Sequence, residues 1–358
     1  MDNRDALDFG KMSIPTLFQK LFWPTLLGMV SMVLLNLADG IFIGHGVGSN
    51  GLAAVNISAP IFQISTGIAL LFGSGVSIVA AIHMSKGNQK AANINITQAF
   101  TIGILLMVLV VAVINIFPYA TCRLFGHSNK IKLYKPKFSR TALRLTMRNC
   151  GYQIKLGMPT FIAETAISCM MIVGNFMFMS RLHEDGVAAF SVACYLFPMI
   201  FMFGNSIAQA AMTIISYNHG LDNTDRVHQT TNASLTTAVI LGLLMTLIGY
   251  VGAPDIAALF LEPYTDAFDI CNQGLPLFSL CCLFFTLNIV LIGQEQSLER
   301  YSRSTIYMLL RGFLLIIPCF ILLPDFIGNA GLWVAVPTSE AITLITILVV
   351  KLVEIRRS

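Results

Sequence analysis

The chain has 358 residues, 56% of them apolar and only 11% charged, with 22 Lys and Arg against 18 Asp and Glu for a formal net charge of +4. Soluble domains carry about 25% charged residues, so a water-soluble globular protein is excluded. At about 20 apolar residues per crossing, the composition supplies at most nine or ten membrane-spanning helices. The positive excess sits in short loops with no basic, aromatic-interleaved face, which argues against a nucleic-acid partner.

In chain order, apolar runs predict spans at 17–44, 52–83, 96–121, 157–181, 187–217, 231–252, 272–293, 305–323 and 329–350. Lipid offers backbone amides no water, so spans must be helices or a closed barrel, and these runs lack the short alternation of barrel strands. The expected fold class is therefore an all-α integral membrane protein with nine transmembrane helices. Asp2, Asp5 and Asp8 stand where a signal peptide would be basic, so the first run is expected to remain as a span.

Lys and Arg collect in loops on the inner side of a membrane. Lys11 and Lys20 precede the first span, and Lys86 and Lys90 follow the second, so the N-terminus is expected inside. Residues 129–155 carry Lys130, Lys132, Lys135, Lys137, Arg140, Arg144, Arg148 and Lys155 with no acid, and also belong inside. A surface helix is expected near Arg140 to Arg148. Arg226, Arg300, Arg303, Lys351, Arg356 and Arg357 mark later inside segments, and Asp255, Glu262, Asp266 and Asp269 an outside loop. One join conflicts: three spans carry the chain outside at His127, just before its most basic stretch. An odd number of crossings is missing near residue 128.

An internal repeat points the same way. An offset of 135 residues superposes Lys20 on Lys155, Pro24 on Pro159, Thr25 on Thr160, Gly51 on Gly186, Ala53 and Ala54 on Ala188 and Ala189, and Phe62 on Phe197. The second copy runs on through three more spans, whereas the first stops after Phe125. The expected organisation is an incomplete N-terminal lobe of three helices (1–128), a basic cytoplasmic linker (129–155) and a C-terminal lobe of six helices (156–358). Two related helical halves around a midplane site are a transporter signature.

Leu37-Ala-Asp-Gly-Ile-Phe-Ile-Gly44 with Gly51-Leu-Ala-Ala54, then Ile215-Ser-Tyr-Asn-His-Gly220 with Arg226, then Gly331-Leu-Trp-Val-Ala-Val-Pro-Thr-Ser-Glu340 carry a family resemblance. In order and spacing they resemble helices one, eight and twelve of the multidrug and toxic compound extrusion (MATE) family, particularly its MepA-like branch. The family's helices four to six have no counterpart. The resemblance implies a MATE-like two-lobe bundle and an antiporter, driven by H⁺ or Na⁺, that exports amphipathic or cationic drugs across a bacterial-type cytoplasmic (inner) membrane. It also implies coupling acids at Asp39 on the first helix and Glu164 on the seventh. A lipid-linked oligosaccharide flippase of the same superfamily is the alternative, and an inert membrane fragment is another.

The residues themselves lead to the same acids. Only Asp39, Glu164 and Glu340 lie well within spans, where a charge costs about 2.5–3.5 kcal/mol on insertion scales. Burial favours the protonated acid and a nearby cation the ionised one, so such a group can exchange a proton for a cation. Gly28, Met32, Asn36 and Asp39 share one helix face, as do Glu164, Ser168 and Asn175. Asn36, Asn175, Asn288 and Arg311 are candidate cavity-lining groups, with Arg311 also suited to anchoring or pairing an acid. Pro24 and Pro159 are candidate hinges.

The eight Cys show no C-x-x-C spacing and read as small apolar residues. The six His have no metal-ligand spacing, and no Ser/His/Asp set is present. No metal, cofactor or obligate protein partner is expected, beyond the coupling ion, drug substrates and the bilayer, and an enzyme is not expected. Because the first half lacks the helices that should wall Asp39 from lipid, the chain as it stands is expected not to complete coupled transport.

Overall fold

The computed structural model describes the backbone of residues 8–47, 49–116 and 147–356, and side chains over 8–31, 66–110, 112, 151–354 and 356. The described chain is all helical: α1 (Ile14–Val47), α2 (Ser49–Ser85), α3 (Gln89–Ile116) and α4 (Met147–Gly220). There follow α5 (Thr224–Val251), α6 (Ala253–Phe260), α7 (Asp266–Ser279), α8 (Cys281–Ser297) and α9 (Tyr301–Leu309). A π-helical segment, Leu310–Leu314, joins α9 to α10 (Ile316–Ile327), and α11 (Ala330–Ile355) ends the bundle.

Seven described stretches are long and apolar enough to cross a membrane, one of them the 70 residues Gly151–Gly220. That stretch is two spans, because His183 at φ 55° and ψ −150° breaks α4 into arms 147–182 and 184–220. With α1, this gives one helical rod for each of the nine spans read from the sequence. The expected loop at 182–186 is thus a single-residue break, at a positive φ that L side chains rarely adopt. Two other spans are jointed rather than continuous. α7 and α8 form one apolar stretch, Asp266–Ser297, and α9, the π segment and α10 another, Tyr301–Ile327.

Termini follow their local chemistry. Thr265 caps α7 by accepting from the Phe268 amide at 3.3 Å, and Asp266 and Asp269 occupy its first turn, where the helix dipole favours negative charge. Asn223 caps α5 through the Arg226 amide at 3.2 Å.

The chain forms two compact units, Leu34–Thr165 and a larger one of Met1–Val33 with Ala166–Ser358. In the larger unit the first turns of α1 supply Ile14, Leu17, Phe18, Phe22 and Leu26 to a core shared with Met202, Ile207, Ile214 and Ile215 of α4 and Val290 of α8. Arg226 secures that docking. Its Nη2 donates to the carbonyls of Phe9 (2.9 Å) and Met12 (2.7 Å), and its Nε donates to Asn218 Oδ1 at 3.0 Å.

The smaller unit is held by close backbone approach. A Cβ on Gly157 of α4 would stand 1.7 Å from the Leu71 carbonyl oxygen of α2, and one on Gly75 would stand 2.3 Å from the Gln153 carbonyl oxygen. Small residues that let helices touch backbone to backbone are the usual glue where lipid removes the hydrophobic drive. Gln153 adds a polar tie, its Nε2 donating to Asn95 O (3.0 Å) and Oδ1 (3.2 Å) of α3.

Candidate functional site

In the larger unit, three residues from three separate helical stretches meet. Glu340 of α11 and Arg311 of the π segment are 3% and 5% exposed, and form a buried ion pair. Arg311 Nε donates to Glu340 Oε1 at 3.0 Å and Oε2 at 3.2 Å, and Nη2 donates to Oε1 at 2.5 Å. Asn288 of α8 is fully buried. Its Nδ2 donates to Glu340 Oε2 at 2.7 Å and to the Glu340 carbonyl at 2.8 Å, which fixes the amide orientation. The guanidinium also lies over the Phe285 ring, 4.4 Å from its centroid, a cation–π contact strengthened by the burial of both groups.

The sequence dictates why Arg311 points there. Pro318 has no N–H to give the carbonyl four residues earlier, and its ring crowds that carbonyl. That residue, Leu314, ends the π segment. The extra residue is absorbed there, with Leu315 N donating to Leu310 O at 2.8 Å, and the wider turn presents Arg311 to α8 and α11. π-bulges often mark functional positions. Gly312 allows this path, since a Cβ there would meet Ala166 Cβ at 2.4 Å.

Glu164 contrasts with this cluster. It lies in the smaller unit on the first arm of α4, 7% exposed. A Cβ added to Gly67 of α2 would be 3.9 Å from Glu164 Cβ. Among the described residues its carboxyl has neither a hydrogen bond nor an ion pair.

Asn175 is exposed, Pro24 is exposed between the core residues Phe22 and Leu26, and Pro159 is buried beside Gly157. Asn36 and Asp39 belong to α1, but their side chains lie outside the described residues, as do those of the basic stretch from Lys130 to Arg148. The structure therefore joins Asn288, Arg311 and Glu340, whereas Glu164 belongs to the smaller unit.

Two features escaped the sequence reading. Phe285 is three residues before Asn288 and so on the same helical face, and that spacing was the available signal. The second is a charged network where α8 and α11 end and α9 begins. There Glu295, 3% exposed, lies 3.6 Å from Arg300 Nη1 and 3.7 Å from Lys351 Nζ. Lys351 donates to Gln294 at 2.6 Å, and Glu354 pairs with Arg300 and Arg303. Among the described residues no group of three or more His, Cys, Asp or Glu could hold a metal ion.

The model of one protein family, MatE, matches residues 24–153 and 159–321. Together these stretches take in well over half of the chain, and their starts lie 135 residues apart, the offset of the internal repeat. The chain belongs to the MatE family. It is thus a multi-pass membrane protein of a family of secondary transporters.

Solved MATE structures share its fold. A single-residue variant of a MATE protein matches with a TM-score of 0.80 at 15% identity, covering 98% of each chain. A MOP-superfamily transporter from Pyrococcus furiosus, described by a binding pocket of reversed polarity, matches at 0.76 and 15% identity over 99% of each chain. A variant of the Vibrio cholerae MATE transporter VcmN matches at 0.75 and 16% identity, covering 96% of this chain and 98% of that one. At such identities the likeness establishes the fold alone. No curated protein matches the sequence.

Proposed function

We propose that the chain is a cation-coupled antiporter of the MATE type, which uses an H⁺ or Na⁺ gradient to move amphipathic or cationic drugs out of the cytoplasm. In this reading it lies in a bacterial-type inner membrane with its N-terminus inside. Glu164 and Asp39 are the acids assigned to exchange, and Glu340 sits in a paired site. The supporting observation is Glu164 itself, a buried acid with no counter-charge among the described residues. A lone carboxylate in a low-dielectric interior costs several kcal/mol, and either a proton or an arriving cation removes that cost. Such a group suits alternate occupation.

The same observations disfavour the flippase alternative. A cavity for a lipid pyrophosphate should offer cationic side chains. Arg311 is the only buried Lys or Arg among the described residues, and Glu340 already neutralises it.

A second reading, an inert remnant, is favoured by one count. Only 30 residues separate Ile116 from Met147, too few for three further spans of about 20 residues each. Proteoliposomes with an imposed pH or Na⁺ gradient and ethidium as probe test both. Gradient-driven ethidium movement that Glu164→Gln or Asp39→Asn abolishes is the outcome expected of the antiporter. Movement unchanged in both variants removes these acids from the mechanism. No gradient-dependent movement by folded protein leaves the remnant.

A further inference from the structure

Glu340 has everything a bound cation would supply, and the protein supplies it. Arg311 brings one full positive charge, contacts both carboxylate oxygens through Nε, and doubles the contact to Oε1 through Nη2. The Phe285 face backs the guanidinium at 4.4 Å. Among the described residues no other charge pairs with Glu340. One polar atom is left over: Asn288 Oδ1 is buried and has no donor, although Asn288 Nδ2 is spent twice on Glu340. A buried acceptor without a partner is uncommon and costly. Here it stands within one amide group of a carboxylate.

We propose that Arg311 is a tethered surrogate for an exchanged cation: it permanently fills the place at Glu340 that a small monovalent cation would take, and the π segment set by Pro318 holds it there. Beneath the guanidinium is a latent site whose oxygen ligands are Glu340 Oε1 and Oε2, hard donors suited to an alkali cation, with the Asn288 amide holding the carboxylate in place. The lever is local. Pro318 forces the π turn, and Gly312 seats it against Ala166, where any side chain would arrive at 2.4 Å. An α-helical path through 310–314 would rotate Arg311 off Glu340, since one residue of an α-helix is about 100° of rotation. The proposal deepens the antiporter reading by leaving exchange to acids without a resident partner, and its test requires no transport.

The test is thermal unfolding of the purified full-length chain in detergent at fixed ionic strength, with choline replaced by Na⁺ or, separately, by millimolar guanidinium. A ligand at tenfold excess over its dissociation constant raises the melting temperature of a chain this long by roughly 2 °C. Arg311→Gln is expected to show a rise of that size with at least one of the two cations. Na⁺ alone would indicate an oxygen cage, and guanidinium alone a planar slot. Wild type, Arg311→Lys and the Arg311→Gln/Glu340→Gln double variant should show none. Pro318→Ala, which loosens the lever and keeps both charges, should show a smaller rise, and it carries the test if Arg311→Gln does not fold. The proposal is overturned if wild type has a cation response that Glu340→Gln removes. It is equally overturned if folded Arg311→Gln responds no more than the double variant, or if Pro318→Ala, carrying the test alone, shows no response. A positive cation response beside silent transport would overturn the antiport reading alone.

Discussion

Two buried acids in this chain are held in opposite ways. Glu340 is held by an amide and by a guanidinium that an aromatic face backs in turn, where α8, the π segment and α11 meet. Glu164 lies on the first arm of α4, its Cβ 3.9 Å from where a Cβ on Gly67 of α2 would stand, and its carboxyl has no partner among the described residues. The lesson is that a charge inside a span has no fixed meaning. Paired, it ties helices together and resists change; unpaired, it is a cost that a mobile ion can relieve.

The largest break in this comparison should come from splitting the pair. Glu340→Gln leaves Arg311 buried without a counter-ion, and losing one partner of a buried ion pair costs about 3–5 kcal/mol. Thermal or denaturant unfolding in detergent should register this as a drop well beyond that of surface variants.

Next in size is the glycine side of the comparison. In Gly157→Ala the new methyl meets the Leu71 carbonyl oxygen at 1.7 Å, so α2 and α4 must part. Overpacking of this kind costs about 1–3 kcal/mol. The same substitution at Gly28, where nothing among the described residues stands within 4 Å, should instead be neutral or slightly stabilising, because Ala is the better helix former. Comparing the two melting temperatures separates a packing clash from a helix-propensity effect.

A smaller effect sharpens the meaning of the ion pair. Replacing both partners, as Arg311→Met/Glu340→Leu, removes both desolvation costs, and buried pairs replaced by apolar residues are often neutral or more stable. The double variant should recover most of the loss seen in Glu340→Gln. If it stays as unstable as the single variant, the cluster does more than balance charge.

Much of the fold was legible in the sequence, because a span leaves a run of apolar residues that tertiary context rarely overrides. All nine rods fall where apolar runs place them. The jointed spans were not, since hydropathy does not register a single left-handed residue such as His183 or a π turn such as Leu310–Leu314. Pro318 was visible, but a proline says only that a helix must yield, not which residue turns inward. The acids were legible for the same reason as the spans, as exceptions in an apolar alphabet. Arg311 was legible as a group suited to pairing an acid, but which acid it pairs with was not. Glu340 and Arg311 lie 29 residues apart, and Glu340 and Asn288 lie 52 apart. Nothing periodic in the chain relates positions so separated on different helices.

The most direct measurement of the central claim is the unfolding of Glu164→Gln beside Glu340→Gln in one detergent and at one pH. The account predicts a loss for one variant alone. Glu164→Gln, which removes a buried acid without a partner, should leave the melting temperature unchanged or raise it by the equivalent of about 1 kcal/mol or less. Glu340→Gln should lower it sharply. Equal destabilisation by both substitutions would contradict the account, because it would mean that Glu164 is held by a partner as firmly as Glu340 is.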